Sequence, residues 1–149
     1  SLMEHRGCFV TLHKNCELRG CIGNIEPISS LAEGVKQNAI NAAFKDPRFP
    51  PLKKDELPDV TIEISVLTIP RVIDFEDGED LKRKLQPGIH GVILSKGFCC
   101  ATFLPQVWEQ LPDKEIFLEH LCQKGGLGKK SWQNTETTVK VYEAECFSE

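Results

Sequence analysis

The stretch Gly7-Cys8-Phe9-Val10-Thr11-Leu12-His13-Lys14-Asn15-Cys16-Glu17-Leu18-Arg19-Gly20-Cys21-Ile22-Gly23 decides how the chain begins to fold. Phe9, Thr11 and His13 alternate with Val10 and Leu12, the period of two expected of a strand over Gly7 to His13. Lys14-Asn15 supplies a turn, and Glu17 to Ile22 reads as a second strand. The segment therefore predicts an antiparallel hairpin.

Working outward, Ser30 and Glu33 form an S-x-x-E capping box that opens a helix over Ser30 to Lys45, with Leu31, Val35, Ala39 and Ala43 as its apolar stripe. Asp46-Pro47-Arg48-Phe49-Pro50-Pro51 ends that helix, because proline lacks an N–H and restricts the residue before it. Asp59 to Thr68 is the clearest strand: Val60, Ile62, Ile64 and Val66 face one way, and Thr61, Glu63 and Ser65 the other. A short helix is predicted over Asp80 to Leu85. A hairpin of His90 to Ser95 and Phe98 to Phe103 turns at Lys96-Gly97, and a helical turn spans Pro105 to Gln110. Asp113 caps a helix that runs to Lys124, with Gly125 at its C-terminal cap. Thr137 to Phe147 reads as one long closing strand. Hairpins interrupted by a few packed helices predict an α+β fold of mainly antiparallel sheet.

The 149 residues suit one domain, taken as residues 3–149. Ser1-Leu2, ahead of the only methionine, Met3, reads as a vector remnant and is set aside. Hydrophobic residues make up 40% and charged residues 27%, an ordinary globular balance, and no apolar run approaches a membrane span. The net charge of −4 and the pI near 5.6 argue against a general affinity for nucleic acid. Seven cysteines without a C-x-x-C pair favour neither a disulfide framework nor a zinc site, and suit a reducing cytoplasm. No metal or cofactor is expected.

Leu18-Arg19-Gly20-Cys21-Ile22-Gly23 resembles the signature of the AMMECR domain family. Asp46-Pro47-Arg48-Phe49, Ile62-Glu63-Ile64-Ser65-Val66-Leu67, Gly88-Ile89-His90-Gly91, Phe103-Leu104-Pro105-Gln106-Val107-Trp108 and Lys124-Gly125-Gly126-Leu127 follow in that family's order, so the resemblance covers almost the whole chain. It implies an α+β fold in two lobes and no established activity. It also implies a pathway association with Memo-like and radical-SAM proteins. Members usually open with a helix ahead of the first strand, and none is read here. An uncovered apolar patch near the first hairpin, met by a partner, is the corresponding expectation.

Residues two apart on a strand share a face, which places Arg19 beside Cys21. A guanidinium near a thiol favours the nucleophilic thiolate. Gly20 and Gly23 leave room for close approach of a ligand or another backbone. His90 is the candidate general base; Glu63 is a candidate to orient it, and Ser65 shares the face of Glu63. These residues describe a cysteine-dependent enzyme acting on a small anionic substrate. The competing reading is packing: Cys21 as a filler, Gly20 at a bulge, Arg19 in an ion pair and His90 as a structural histidine. A non-enzymatic adaptor that docks on a protein partner is the alternative function. Asp46, Arg48 and Lys124 read as architectural. The oligomeric state is left open.

Overall fold

The structure, a computed structural model, describes residues 2–149; Ser1 lies outside the described residues. In chain order the elements are β1 (Cys8–Lys14), β2 (Glu17–Asn24), α1 (Leu31–Phe44), β3 (Val60–Leu67), β4 (Arg71–Ile73), α2 (Gly78–Lys84), β5 (Gly91–Lys96), β6 (Cys99–Phe103), α3 (Lys114–Lys124), β7 (Thr138–Tyr142) and β8 (Ala144–Ser148). Short 3₁₀ turns cover Lys54–Asp59, Pro105–Glu109 and Ser131–Gln133. The chain divides into two compact units, one of residues up to 69 together with 145–149, the other of residues 70–144. The expected α+β class holds, with two four-stranded sheets built on antiparallel pairs.

The first unit is a sheet of order β2-β1-β3-β8 with α1 against one face. Val10, Leu12 and Ala42 are buried there, and Ile22, Val35, Ala39, Ile62 and Ile64 pack around them. Asn15 and Cys16 both take positive φ, 53° and 67°, so the β1–β2 turn is the primed two-residue type, one residue later than expected. Ser30 caps α1 by accepting the Glu33 N–H. Leu31 and Ala32 donate to the carbonyls of Glu4 and Leu2, so the N-terminal segment satisfies the free N–H groups of the helix start. Leu2, set aside in the sequence reading, thus takes part in the fold. The buried line of α1 is Gly34, Asn38 and Ala42, with the expected Val35, Ala39 and Ala43 flanking it. α1 packs on the apolar face of the first hairpin, while Leu18 on β2 stays exposed.

The second unit is a sheet of order β4-β7-β5-β6. Its core includes Leu81, Leu85, Val92, Leu94, Trp108, Phe117, Leu118, Leu121, Trp132 and Val139. Trp108 stacks on Phe117 with ring centroids 3.6 Å apart. Gly125 is the C-cap of α3, as expected, and Gly126 after it takes the left-handed conformation at φ 78°. Gly126 donates to Gln123 and Leu127 to Cys122, a Schellman closure. The closing strand also differs from expectation. It breaks at Glu143 into β7 and β8, which belong to different sheets, because each half finds its own hydrogen-bonding edge.

Candidate functional site

The signature segment lies on β2, the edge strand of the first sheet. Register fixes what shares its outer face. Cys21 pairs with Thr11, and Thr11 pairs with Glu63 across β3, so these three side chains form one cross-strand row. Phe9 pairs with both Gly23 and Ser65 in the next row. A Cβ on Gly23 would run into the Phe9 ring, and one on Gly20 would run into the Ala42 carbonyl. Gly20 therefore admits α1, and Gly23 admits an aromatic ring.

Arg19 does not share the face of Cys21. The register shifts between Leu12 and His13: Gly20 opposes Leu12 and Leu18 opposes His13, leaving Arg19 as the extra residue of a bulge. The bulge redirects its guanidinium to Glu56 at 3.1 and 3.2 Å and to the Pro50 carbonyl at 2.8 Å. Arg19 is 8% exposed, and its Nη1 has no hydrogen-bond partner among the described residues. Strict alternation missed this because one inserted residue inverts every side chain that precedes it on the strand.

The cation near Cys21 is Arg48, which the sequence reading treated as architectural. Asp46 is buried and accepts the Cys21 backbone N–H at 3.0 Å. It also holds the Arg48 guanidinium at 2.7 and 3.0 Å, and Arg48 in turn donates to the Cys21 carbonyl at 3.4 Å. The outward N–H and C=O of the edge strand at Cys21 are thus both occupied by one Asp–Arg pair, as a further strand would occupy them. Hydrogen bonds from the Arg48 side chain hold the Asp46 carboxyl well below the usual carboxylate range. The Arg48 pKa is pushed up chiefly by its hydrogen bond to Asp46, and the nearby Cys21 sulfur adds a smaller push. Cys21 as a residue is half-buried, and its Sγ lies 3.2 Å from the Thr11 hydroxyl. Phe49 lies under both guanidinium groups, 5.5 Å from Arg48 and 5.9 Å from Arg19. The signal available in the sequence was the compact Asp46-Pro47-Arg48-Phe49 turn; its destination was not.

Ser65 is buried, with its Oγ 3.4 Å from the Sγ of Cys146. His90 belongs to the second unit and is 2% exposed. Its Nδ1 accepts the Gln86 N–H at 3.1 Å, which puts the proton of the neutral ring on Nε2. Burial pushes its pKa down first, the charge of Arg71 second, with Glu143 opposing. Among the described residues no group of three His, Cys, Asp or Glu side chains is placed to hold a metal ion. No helix among them is long and apolar enough to cross a membrane.

The fold and the site define an α+β protein whose signature is a half-buried thiol on an edge strand clamped by an aspartate–arginine pair. Comparison with known proteins agrees with the resemblance read from the motifs. The AMMECR1 family model matches residues 1–147, and the chain belongs to that family. It is 41% identical over 147 residues to a Methanothermobacter thermautotrophicus protein, covering 98% of this chain and 77% of the relative. It is 43% identical over 156 residues to one from Thermococcus onnurineus, covering 99% and 75%. The crystal structure of an uncharacterized protein from Pyrococcus horikoshii superposes with a TM-score of 0.88 at 40% identity, covering 99% of this chain and 75% of that one.

Proposed function

We propose that the first unit is a thiol-dependent catalytic module in which Cys21 attacks a small anionic acyl compound. The observation that carries this reading is the placement of Cys21: a partly accessible sulfur beside a hydroxyl and a cation, on backbone held at both its N–H and its C=O. The Cys21 sulfur contributes to the raised Arg48 pKa, so the two groups interact, and Arg48 attracts an anionic group. The thiol proton passes towards Glu63, two strands away in the same row, through the intervening Thr11 hydroxyl and water, since no direct contact joins Glu63 to the sulfur. The sulfur–carbon bond forms, the leaving group departs with its electron pair, and water then cleaves the thioester and restores the thiol. Arg19 acts as a positioning residue through Glu56, in place of the ligand role expected of it. His90 has one nitrogen engaged and the other protonated, so the base is assigned to Glu63.

Peptide-resolved alkylation with iodoacetamide tests this. Cys21 is expected to react faster at pH 7 than the exposed Cys16, Cys100 and Cys146, and Arg48→Gln is expected to slow it about three- to tenfold. A Cys21 that reacts no faster than Cys16, or a rate indifferent to Arg48→Gln, removes the proposal.

The adaptor reading keeps one observation in its favour: Phe98 is fully exposed at the tip of the β5–β6 turn. A protein partner would then dock on the second unit, and Cys21 would be inert.

A further inference from the structure

The second unit contains a polar cavity that the Cys21 chemistry leaves unused. It has a volume of about 500 Å³ and is bordered by Arg71 and Asp74 after and along β4, Arg83 and Lys84 at the end of α2, and Gln86 and His90 ahead of β5. Three cations and one carboxylate thus meet at one wall. Arg83 and Lys84 are each paired with Asp80 at 3.1 Å, and Lys84 also donates to the Asp74 carbonyl at 2.6 Å. They sit in the last turn of α2, where peptide dipoles already favour positive charge. Arg71 has neither explanation. It is exposed on an edge strand and has no ion-pair partner among the described residues.

His90 adds a buried donor. With Nδ1 accepting the Gln86 N–H, the neutral ring carries its proton on Nε2; charging the ring protonates Nδ1 at the expense of that hydrogen bond and keeps the Nε2–H. A guanidinium and an imidazole bordering one cavity repel each other once both are charged, and an anion between them reverses the sign of that interaction. A tetrahedral dianion suits a planar guanidinium fork, which donates two parallel hydrogen bonds.

We propose that this cavity binds a phosphate group of a small molecule, with Arg71 as the principal ligand, His90 Nε2–H as a second donor, and Lys84 and Arg83 adding positive potential.

Sulfate and inorganic phosphate are the probes, on the whole chain. Sulfate keeps its charge across the titration of histidine. Saturating sulfate is expected to raise the His90 pKa, read from imidazole resonances in NMR, by about 1. The other charged groups around the ring are Arg71, Arg83, Lys84, Asp74 and Glu143. Phosphate affinity measured by calorimetry is expected to fall about tenfold in Arg71→Ala. His90→Asn keeps an acceptor for Gln86 and removes the Nε2–H, and is expected to weaken binding several-fold while the thermal midpoint holds. A parallel titration with methyl phosphate separates a free ion from a monoester, and saturable binding of either supports the site. No saturable response to phosphate, methyl phosphate and sulfate, or equal responses in Arg71→Ala and the parent, overturns it.

Discussion

The two units are held together by different means. In the first, the buried apolar residues are Cys8, Val10, Leu12, Ala42, Val66 and Leu67, and polar side chains tie backbone segments together around them. Asn38 bonds the Cys8 carbonyl and Asn24, Asp46 bonds the Cys21 N–H, and Arg19 bonds the Pro50 carbonyl. In the second, a large aromatic-rich core encloses both tryptophans. The difference teaches where positional accuracy comes from. An apolar core of that size is tolerant, because side chains can repack, whereas a buried polar tie works at one geometry and costs a full desolvation penalty when broken. Both units carry such ties, the Trp108 indole donating to the His90 carbonyl in the second, but in the unit with the thiol they surround a smaller apolar cluster.

The sharpest way to break this comparison is to add one methyl group to each unit. Gly20→Ala in the first drives Cβ into the backbone carbonyl of Ala42, which α1 cannot withdraw. Gly91→Ala in the second drives it into the buried ring of Tyr142, a clash with one side chain rather than with helix backbone. Gly20→Ala is expected to cost about 3 kcal/mol or more and Gly91→Ala about 1–2 kcal/mol, measured by denaturant unfolding. Equal costs would show that the first unit yields as readily as the second.

Acid separates the units less strongly. Hydrogen bonds from Arg19, then from the Lys53 backbone and Lys14, hold the Glu56 carboxyl down at about 2, and Asp46 lies low as well. A carboxyl depressed in the folded state stabilises it above its unfolded pKa, and that contribution is lost as pH falls. The first unit should therefore loosen as pH drops from about 4.5 towards 2. Both tryptophans, Trp108 and Trp132, belong to the second unit, so their fluorescence reports that unit alone. Asp80 and Glu119 of the second unit are held low too, but less far than Asp46 and Glu56, so far-ultraviolet circular dichroism is expected to change at higher pH than tryptophan fluorescence. At the alkaline end the order is different: burial pushes Tyr142 up to about 12, so its contribution is present below the unfolded value of about 10 and disappears as pH rises through 12. Coincident acid transitions by both probes would contradict the comparison.

The smallest effect lies in the hairpin turns. Cys16 takes φ 67° where glycine is at ease, and Gly97 takes φ 60° in the corresponding turn of the second unit. Cys16→Gly is expected to raise stability by about 0.5–1 kcal/mol, and Gly97→Ala to lower it by about 1 kcal/mol. A thermal-shift measurement on the pair sharpens how much strain each turn carries.

Much of this was legible from local pattern. The first hairpin, the helix opened by Ser30, the strand of Val60 to Leu67 and the helix capped by Asp113 all follow from periodicity and caps, which act over a few residues. The AMMECR membership was legible too, because its motifs are contiguous. The bulge at Arg19 was not, since it depends on counting two strands against each other. Nor was the break at Glu143: the apolar positions change parity between Val141 and Tyr142, but only the tertiary structure shows the two halves joining different sheets. The role of Asp46 and Arg48 was equally hidden, because a side chain that reaches a backbone 25 or 27 residues away leaves no periodic trace.

What the sequence by itself determined is the set of elements and the family, because hydrophobic period, capping residues and signature motifs are properties of neighbouring positions. What only the tertiary structure decided is which guanidinium accompanies Cys21. That choice rests on a one-residue bulge and on a buried carboxylate reaching from the loop after α1 to an edge strand. Both are relations between distant segments, whose free energy exists only once the chain has brought them together.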